Sequence, residues 1–317
     1  MNRPALAATA LALAGLLPEP GGARAHGIAG KRVFPTTLTI DDPAVADEAS
    51  LPTFQYQKHG ASGDDASFYE YDINGEYDKR ITEHVGVAIN YGYTIQDRLG
   101  QQNRYGFSNL NTTLKWQFLQ NAPHELLMSV GVIKAWGGSG ANAVGAATKG
   151  STTPTIYFGK GFGDLPDSLD WLKPLAFTGT LGYQFQDVPT STAIDPDSGN
   201  LTRSSNPDLF VWGASLQYSI PYLQANIKDL GLPEWLGRTT PIVETNYSFP
   251  VTRSNGVNAT GTIAPGFIWS GDSFQIGLEA LVPGPRKTNN ATGFVFQVHF
   301  FLDDIFPTTL GKPIFGD

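Results

Sequence analysis

The sequence predicts an all-β protein: a closed antiparallel transmembrane β-barrel of about 12 strands, with short helices in its periplasmic turns. Three observations support this prediction. Hydrophobic and polar residues alternate through repeated stretches of about ten residues, which is the pattern of a β-strand with one apolar face. Long connections rich in Gly, Ser, Asn and Asp alternate with mostly short ones, as in outer-membrane barrels. Aromatic residues gather near the predicted strand ends, where membrane interfaces would lie.

Composition limits the classes of function. The 317 residues include no Cys, so the chain has no disulfide, thiolate metal site or Cys nucleophile. The formal net charge of −8 argues against a nucleic-acid partner, because no Lys/Arg-rich stripe is present to neutralise phosphates. Hydrophobic residues make up 41% of the chain, which is enough for a folded core.

The first residues of the chain predict a signal peptide. Arg3 gives the leader a positive start, residues 5–17 form an apolar run, and Ala23-Arg24-Ala25 has the A-x-A form of a cleavage site. The run is too short to span a membrane as a helix, and an uncleaved anchor is the alternative. We therefore expect Sec-type export, cleavage near Ala25, and a mature chain in the outer membrane of a Gram-negative bacterium.

Twelve stretches show the alternation. In the last of them, Phe294, Phe296 and Val298 share one face, while Gln297 and His299 share the other. The predicted strands are residues 51–57, 68–78, 84–95, 108–119, 125–136, 154–162, 175–186, 208–219, 240–250, 259–269, 273–282 and 292–302.

Two of these strands, 125–136 and 154–162, do not show which of their faces is apolar. Lys134 and Lys160 fall on the side that otherwise carries aliphatic residues, so the inward and outward assignments stay open.

The chain ends are expected on the same side of the barrel. An even number of strands puts both ends on the side of the short turns, which is the periplasm in this class of barrel. In the two longer turns, 163–174 and 220–239, Leu, Trp and Pro predict short amphipathic helices. The predicted organisation is a signal peptide at 1–25, a periplasmic N-terminal extension at 26–50, the barrel at 51–302 and a periplasmic C-terminal tail at 303–317.

The alternation also assigns side chains to the two faces. A bilayer offers no hydrogen bonds to the backbone, so strands cross it only as a closed sheet with apolar side chains outward. A secreted β-sandwich is the alternative, but sandwiches usually bury their aromatic residues centrally. The predicted lumen-lining residues are Glu70, Asp72, Asn74, Glu76, Lys115, Gln117, Glu244, Glu279, Gln297 and His299. The predicted aromatic girdle residues are Trp116, Trp136, Phe185, Trp212, Tyr218, Trp269 and Phe300.

Acidic residues outnumber basic ones among the predicted lumen residues. Such a lumen disfavours anions and admits neutral or cationic solutes. Twelve strands lie between the small, fully packed barrels and the large, open porins, so strand number leaves open whether the interior is a pore or a hydrogen-bonded plug.

No motif predicts catalysis, and we expect no catalytic residue, metal site or cofactor. The five histidines lack metal-ligand spacing, and a Ser-His-carboxylate set around His299 or His84 lacks a nucleophile motif. The Gly159–Gly163 run resembles a phosphate loop but starts no clear helix, and we interpret it as a strand end. The Asp195–Asn200 run resembles half of a calcium loop without the later Glu, and we interpret it as an Asx turn.

The segment Phe34-Pro-Thr-Thr-Leu38 recurs as Phe306-Pro-Thr-Thr-Leu310. One copy precedes the first predicted strand and the other follows the last, and those two strands must pair to close the barrel. We hypothesise that both copies lie near this seam on the periplasmic rim and brace it or partly occlude the pore. Coincidence in two extended Pro-containing tails is the alternative.

Several turn motifs resemble those of a known group of proteins. They are Ala25-His-Gly27, Arg32-Val-Phe-Pro35 followed by Asp41-Asp-Pro43, Gly161-Phe-Gly-Asp-Leu-Pro-Asp167, and Pro221-Tyr-Leu-Gln224 with Lys228-Asp-Leu-Gly-Leu-Pro233. In these motifs the chain resembles uncharacterised proteobacterial outer-membrane proteins, which are loosely related to transporters of the "MetA-pathway of phenol degradation" type. The resemblance covers most of the mature chain and implies a twelve-strand-like barrel that passes small compounds, including hydrophobic or aromatic ones. It carries over no catalytic residue. The tail after Leu302 departs from the usual aromatic ending of such barrels.

These observations predict an outer-membrane channel or transporter for the passive passage of small neutral, cationic or hydrophobic solutes. The expected partners are outer-membrane lipids, the barrel-assembly machinery and a small-molecule solute, and no nucleic acid; the oligomeric state stays open. The alternatives are a plugged barrel with a structural or surface-interaction role, and an outer-membrane hydrolase.

Overall fold

The computed structural model describes residues 27–61, 67–194, 199–253, 258–284 and 291–316. The predicted signal peptide therefore lies outside the described residues. The strands are β1 (Gly27–Ala29), β2 (Arg32–Phe34), β3 (Glu48–His59), β4 (Phe68–Arg80), β5 (Val85–Arg98), β6 (Arg104–Phe107), β7 (Asn111–Asn121), β8 (Leu126–Ala135), β9 (Ser151–Gly161), β10 (Leu175–Gln186), β11 (Thr190–Ile194), β12 (Leu201–Ser205), β13 (Leu209–Tyr218), β14 (Thr239–Pro250), β15 (Thr260–Ser270), β16 (Phe274–Pro283) and β17 (Thr292–Phe301).

Twelve of the strands close into one antiparallel barrel, which confirms the predicted fold class. The barrel closes where β17 pairs with β3, with Gln297 opposite Thr53 and Phe301 opposite Glu48. Closure gives each of these strands two neighbours, so their backbone groups pair within the sheet. The order around the barrel is β3, β4, β5, β7, β8, β9, β10, β13, β14, β15, β16 and β17.

The predicted strands differ from the observed ones only at their ends. The range of β10 is the predicted one, whereas β3 begins at Glu48 instead of residue 51 and β9 begins at Ser151 instead of residue 154. The added residues of β3 are Glu48, Ala49 and Ser50, which do not favour a strand by their own propensity. They are held in the strand by backbone pairing with β4 and β17.

Short connections gather at one end of the barrel, which we call the turn side; the opposite end is the loop side. The helices predicted in the two longer turns are present, and Ser219 caps one of them by accepting a hydrogen bond from the Tyr222 N–H. No helix in the described part of the chain is long and apolar enough to cross a membrane. The short helices are the 3₁₀ turns Ala122–His124, Asn142–Val144 and Asp167–Leu172 and the helices α1 (Ile220–Asn226), α2 (Glu234–Gly237) and α3 (Leu302–Ile305).

The alternation did not predict three short pairings. β1 and β2 form a hairpin, β6 pairs with the loop-side half of β5, and β11 and β12 form a hairpin between β10 and β13. Strands of three to five residues are too short for an alternating pattern to be recognised.

The structure resolves the facing of β8 and β9. Leu127 and Ser129 of β8 are buried inside the barrel, whereas Val132 is exposed on its outer surface. On β9, Tyr157 is buried inside and Ile156 is exposed outside.

Lys134 and Lys160, which made the facing ambiguous, both point outward near the ends of their strands. The Lys134 ammonium lies 2.5 Å from the Asp187 carboxylate at the loop side, and that of Lys160 lies 2.9 Å from Asp164 at the turn side. A lysine stem packs along an apolar wall while its ammonium reaches polar partners, so both fit an aliphatic face.

Residues 27–47, which we call the lumen segment, fold into the turn-side part of the barrel. The sequence predicts a periplasmic extension at residues 26–50; in the structure, residues 27–47 contact the inner wall and residues 48–50 begin β3. Phe34 is 3% exposed, and it forms a buried apolar cluster with Ala29, Leu127 of β8 and Ala176 of β10.

Arg32 anchors the lumen segment to the turn side. Its Nε donates to Glu125 Oε2 at 3.1 Å, and its terminal nitrogens donate to the carbonyls of Lys173 and Pro174. The guanidinium lies 3.9 Å from the centroid of the Tyr222 ring. The Tyr222 hydroxyl donates to Glu125 at 2.8 Å; burial and this carboxylate raise the pKa of Tyr222 to about 12, so the donor stays protonated.

The C-terminal tail packs on the turn side next to the closing strands. Asp47, at the end of the lumen segment, binds the Lys79 ammonium at 2.8 Å and Arg80 Nε at 2.7 Å. Arg80 also donates to the carbonyl of Gly311 at 2.9 Å. The same two basic residues of β4 therefore hold both the lumen segment and the tail.

We expect Arg32→Ala to lower the free energy of unfolding by about 3 kcal/mol, because Glu125 would remain buried without its cationic partner. Urea titration of the refolded protein in micelles measures the change. The matched control Arg238→Ala removes an exposed ion pair with Asp272 and should cost less than about 1 kcal/mol. Equal losses in the two variants would contradict the anchor.

Candidate functional site in the barrel lumen

The structure places the ten predicted lumen residues at inward positions on five strands. Glu244 and Glu279 are fully buried there, and Gln297 and His299 are nearly so. Glu70, Asp72, Asn74 and Glu76 follow one another along β4, Lys115 and Gln117 lie on β7, Glu244 on β14, Glu279 on β16, and Gln297 and His299 on β17.

Glu244 binds the lumen segment through its backbone. The carboxylate accepts hydrogen bonds from the N–H groups of Leu38 at 3.0 Å, Thr39 at 2.7 Å and Ile40 at 3.2 Å. The Thr39 hydroxyl donates a fourth hydrogen bond at 2.5 Å. Bonds to an ionised acceptor are stronger than neutral ones, so this single side chain fixes the middle of the segment.

Lys115 and Gln117 hold the following residues of the segment. The Lys115 ammonium lies 2.7 Å from Asp41 Oδ1 and donates to the carbonyl of Asp42 at 3.0 Å. Gln117 Oε1 accepts a hydrogen bond from the Val45 N–H at 3.1 Å. Two strands on different sides of the barrel, β7 and β14, therefore hold the segment between them.

Inward glycines make room for the segment. A Cβ at Gly213 would lie 2.5 Å from Ile40 Cγ2, and a Cβ at Gly277 would lie 2.5 Å from Leu38 Cδ1. While Ile40 and Leu38 occupy these places, no side chain fits at either glycine, which is a known reason for glycine within a strand. Glycine at inward strand positions such as 213 and 277 is the sequence signal for a segment packed inside the barrel.

A polar cavity of about 630 Å³ lies on the loop side of the lumen segment. Residues 36–42 form its floor, and Gln57, Ser108 and Asn111 belong to its loop-side wall. No aromatic side chain occurs among its described lining residues. Seven amide side chains line it: Gln55, Gln57, Asn74, Asn90, Asn111, Asn246 and Gln297.

Carboxylates dominate the charge of this cavity. Lys115 is the one lysine among its described lining residues, and it is already paired with Asp41. The carboxylates on the lining are Asp41, Asp42, Glu48, Glu76 and Asp78.

The acidic row of β4 continues from the cavity toward the loop side. Thr94 donates to Asp72 at 2.5 Å, and Gln96 donates to Glu70 at 2.8 Å. Four of the five inward positions from 70 to 78 on β4 thus carry carboxylates, with Asn74 in the middle of the row, and polar partners hold Glu70 and Asp72 in place.

Ser50, His299 and Glu48 form a hydrogen-bonded chain at the seam between β3 and β17. The Ser50 hydroxyl lies 2.9 Å from His299 Nδ1, and His299 Nε2 lies 2.9 Å from Glu48 Oε2. Thr36 Oγ1 lies 3.2 Å from the same Nε2. The residue types are those of a hydrolytic triad, but there Nε2 usually faces the nucleophile, whereas here Nδ1 does.

The other features considered for chemistry lie apart from this chain. His84 is exposed, and His124 pairs with Asp164 on the turn side at 3.0 Å. The Gly159–Gly163 run is the turn-side end of β9, and Asp195–Asp197 lies outside the described residues. Within the described ranges, no three potential metal-ligating side chains form a group.

The predicted girdle residues lie on the outer surface of the barrel. Trp116 packs against Phe118, with 5.8 Å between ring centroids, and Trp212 stacks on Tyr247 at 5.1 Å. Trp136, Phe185 and Trp212 lie toward the loop side, and Trp116, Tyr218, Trp269 and Phe300 lie toward the turn side.

The two Phe-Pro-Thr-Thr-Leu copies take different positions near the seam. The first lies in the lumen, where Thr36 contacts Glu48 of β3 at 3.3 Å as well as His299 of β17. The second lies in the tail, where Phe306 and Leu310 are exposed and the carbonyl of Leu310 accepts a hydrogen bond from Lys79.

Comparison with known proteins finds similarity of fold. No family model and no curated protein matches the sequence, so the resemblance to phenol-degradation transporters stays a prediction. An outer membrane channel from Pseudomonas putida F1 is similar in structure, at 9% identity and a TM-score of 0.53, over 85% of this chain and 98% of that one. The NanC porin matches at 10% identity and a TM-score of 0.46, over 80% and 98%. The KdgM porin matches at 8% identity and a TM-score of 0.42, over 78% and 98%.

Proposed function

We propose that the protein is an outer-membrane channel for the passive passage of small hydrophilic solutes, neutral or cationic. The observation that supports this proposal best is the polar cavity on the loop side of the lumen segment, with five carboxylates and one paired lysine on its described lining. The absence of aromatic side chains from that lining favours hydrated solutes over the hydrophobic ones that the sequence analysis also considered.

The proposal includes a location and an orientation. The exposed apolar residues on the outer faces of the strands fit contact with lipid. We infer a leader at residues 1–25 that is removed on export, a barrel in the outer membrane, and a turn side with both chain ends in the periplasm. The lumen segment would then narrow the pathway at its periplasmic end.

The charge of the lumen supports a preference for cations. Low-dielectric walls focus the field of like charges within a narrow lumen, which raises the local concentration of counter-ions. Lys115 pairs with Asp41 at 2.7 Å and so offsets one of the five lining carboxylates, which leaves the other four without a lysine partner on the described lining.

Replacing two inward carboxylates of β4 should weaken cation preference. For Glu70→Gln with Glu76→Gln, we expect the ratio of cation to anion permeability to fall about threefold, because the lumen loses negative charge along the solute path. Reversal potentials of single channels in a planar bilayer under a salt gradient measure this ratio.

The control for this experiment is Glu234→Gln with Asp272→Asn, which removes the same charge from exposed positions on the turn side. The ratio should stay unchanged there. An anion-selective wild type, or equal effects in both pairs, would contradict the proposed selectivity. No conductance steps from correctly folded protein would favour the plugged structural barrel.

A hydrolase is the second candidate function, and the Ser50–His299–Glu48 chain is the observation that favours it. The turned imidazole and the burial of Ser50, which is 3% exposed, make it the weaker candidate. The orientation of the imidazole and the burial of Ser50 weigh against catalysis, but they do not oppose the passage of solutes through the cavity.

A fluorophosphonate probe tests the hydrolase directly, since it forms a covalent adduct only with an activated serine. We expect no labelling above that of Ser50→Ala. Labelling of the wild type that is lost in Ser50→Ala and in His299→Gln, while both variants keep their barrel, would favour catalysis over the channel.

A further inference from the structure

The inner wall carries a buried carboxyl group that no protein donor satisfies. Glu279 of β16 is 0% exposed, and neither of its carboxylate oxygens has a hydrogen-bond partner among the described residues. Such groups are rare, because a buried acceptor without a donor keeps the full cost of leaving water. The residues around Glu279 must therefore explain how its carboxyl group is stabilised.

The surroundings supply a second carboxyl group. Glu279 lies within hydrogen-bonding reach of Glu244, which is also 0% exposed. β15 runs between their strands and contributes only Ala264 and Gly266 at this level of the wall. Two buried carboxylates in contact cannot both be ionised at ordinary cost, so one of them holds a proton.

The hydrogen bonds decide where the proton lies. Glu244 accepts four hydrogen bonds from the lumen segment, which stabilise its ionised form, while Glu279 accepts none. A protonated Glu279 that donates to Glu244 satisfies the otherwise unpaired group.

We propose that Glu279 and Glu244 form a proton latch: the proton on Glu279 keeps Glu244 in place to bind residues 38–40, and loss of that proton releases the lumen segment. The released segment would widen the pathway, and this consequence alone rests on the proposed channel function. The latch itself concerns only how the segment is held.

No other charged group faces the pair from the elements packed against it within the described structure. On the lumen segment the next charged residue is Asp41, which pairs with Lys115, and on β17 it is His299, which pairs with Glu48. The remaining inward neighbours are uncharged: Leu38, Thr39 and Ile40 of the segment, Ser215 and Gln217 of β13, Ala264 of β15, Gln275 of β16, and Val295 and Gln297 of β17.

The sign of the pH effect follows from the proton count. The latched state holds one proton more than the released state, in which water reaches both carboxylates. Raising the pH therefore favours release, and lowering it favours the latched state.

Hydrogen exchange of the segment's backbone tests the latch, because the N–H groups of residues 38–40 are the ones that Glu244 binds. Mass spectrometry would follow the peptide spanning these residues in the full-length protein, refolded in lipid nanodiscs, at about pH 6 and about pH 11. The variant Glu279→Gln has the shape of a protonated Glu and donates at every pH. Comparing it with the wild type at the same pH removes the intrinsic pH dependence of exchange.

At the higher pH we expect the wild type to exchange at least about tenfold faster than Glu279→Gln, and at the lower pH we expect equal protection. Glu244→Ala should exchange fast at both pH values, because it removes the acceptor of these N–H groups. The exposed control Glu234→Gln should follow the wild type.

Equal exchange in the wild type and Glu279→Gln at both pH values would overturn the latch. Protection of Glu244→Ala at the lower pH would overturn it as well. These results are independent of conductance: a silent barrel with the expected exchange would reject the channel alone, and a conducting barrel without the exchange difference would reject the latch alone.

Discussion

A closed sheet of twelve strands encloses more space than its own inward side chains fill, and either water or protein must occupy the rest. In this protein the chain supplies part of the filling itself. Residues 27–47 enter the turn-side part of the barrel, where each polar backbone group that leaves water needs a new partner. The inward polar residues meet this need, and their positions explain much of the inner wall.

Different residues of the barrel wall bind different parts of the segment. Arg32 and Glu125 fix the beginning of the segment at the turn side, Glu244 fixes its middle, and Asp47 fixes its end against β4. Gly213 and Gly277 supply the space. Carboxylates of the segment and of the neighbouring wall line the cavity on its loop side. One arrangement therefore both closes the turn side and gives the cavity its negative charge.

The barrel could be predicted because alternation is a local property that each strand shows by itself. Alternation did not show which faces of β8 and β9 point outward. Lys134 and Lys160 lie on the apolar outer face, because their long stems let the ammonium groups reach carboxylates at the strand ends. The path of the lumen segment was missed for a related reason. Residues 27–47 have no period of their own, and their structure depends on partners such as Glu244, which lies more than two hundred positions later in the chain.

The candidate site was likewise predictable only in part. Alternation placed Glu244, Glu279 and His299 on the predicted inner face, but contacts between distant strands cannot be read from one sequence. The chain of Ser50, His299 and Glu48 exists only because β3 and β17 pair at the seam. The meeting of Glu244 with Glu279 likewise depends on the small residues of β15 between them.

The claim that the chain fills its own barrel is tested most directly by a cross-link between the lumen segment and the wall. A Cβ at Gly213 would lie 3.2 Å from the Cβ of Ile40, close to disulfide geometry, and the chain has no other Cys. In Ile40→Cys with Gly213→Cys, mild oxidation should give an intramolecular disulfide, seen as a gel mobility that reductant reverses. The control pair Ile40→Cys with Gly60→Cys, which lies just after β3 at the loop side with open space around its Cα, should stay unlinked. Free, reactive thiols in the first pair after oxidation of a folded barrel would contradict the account.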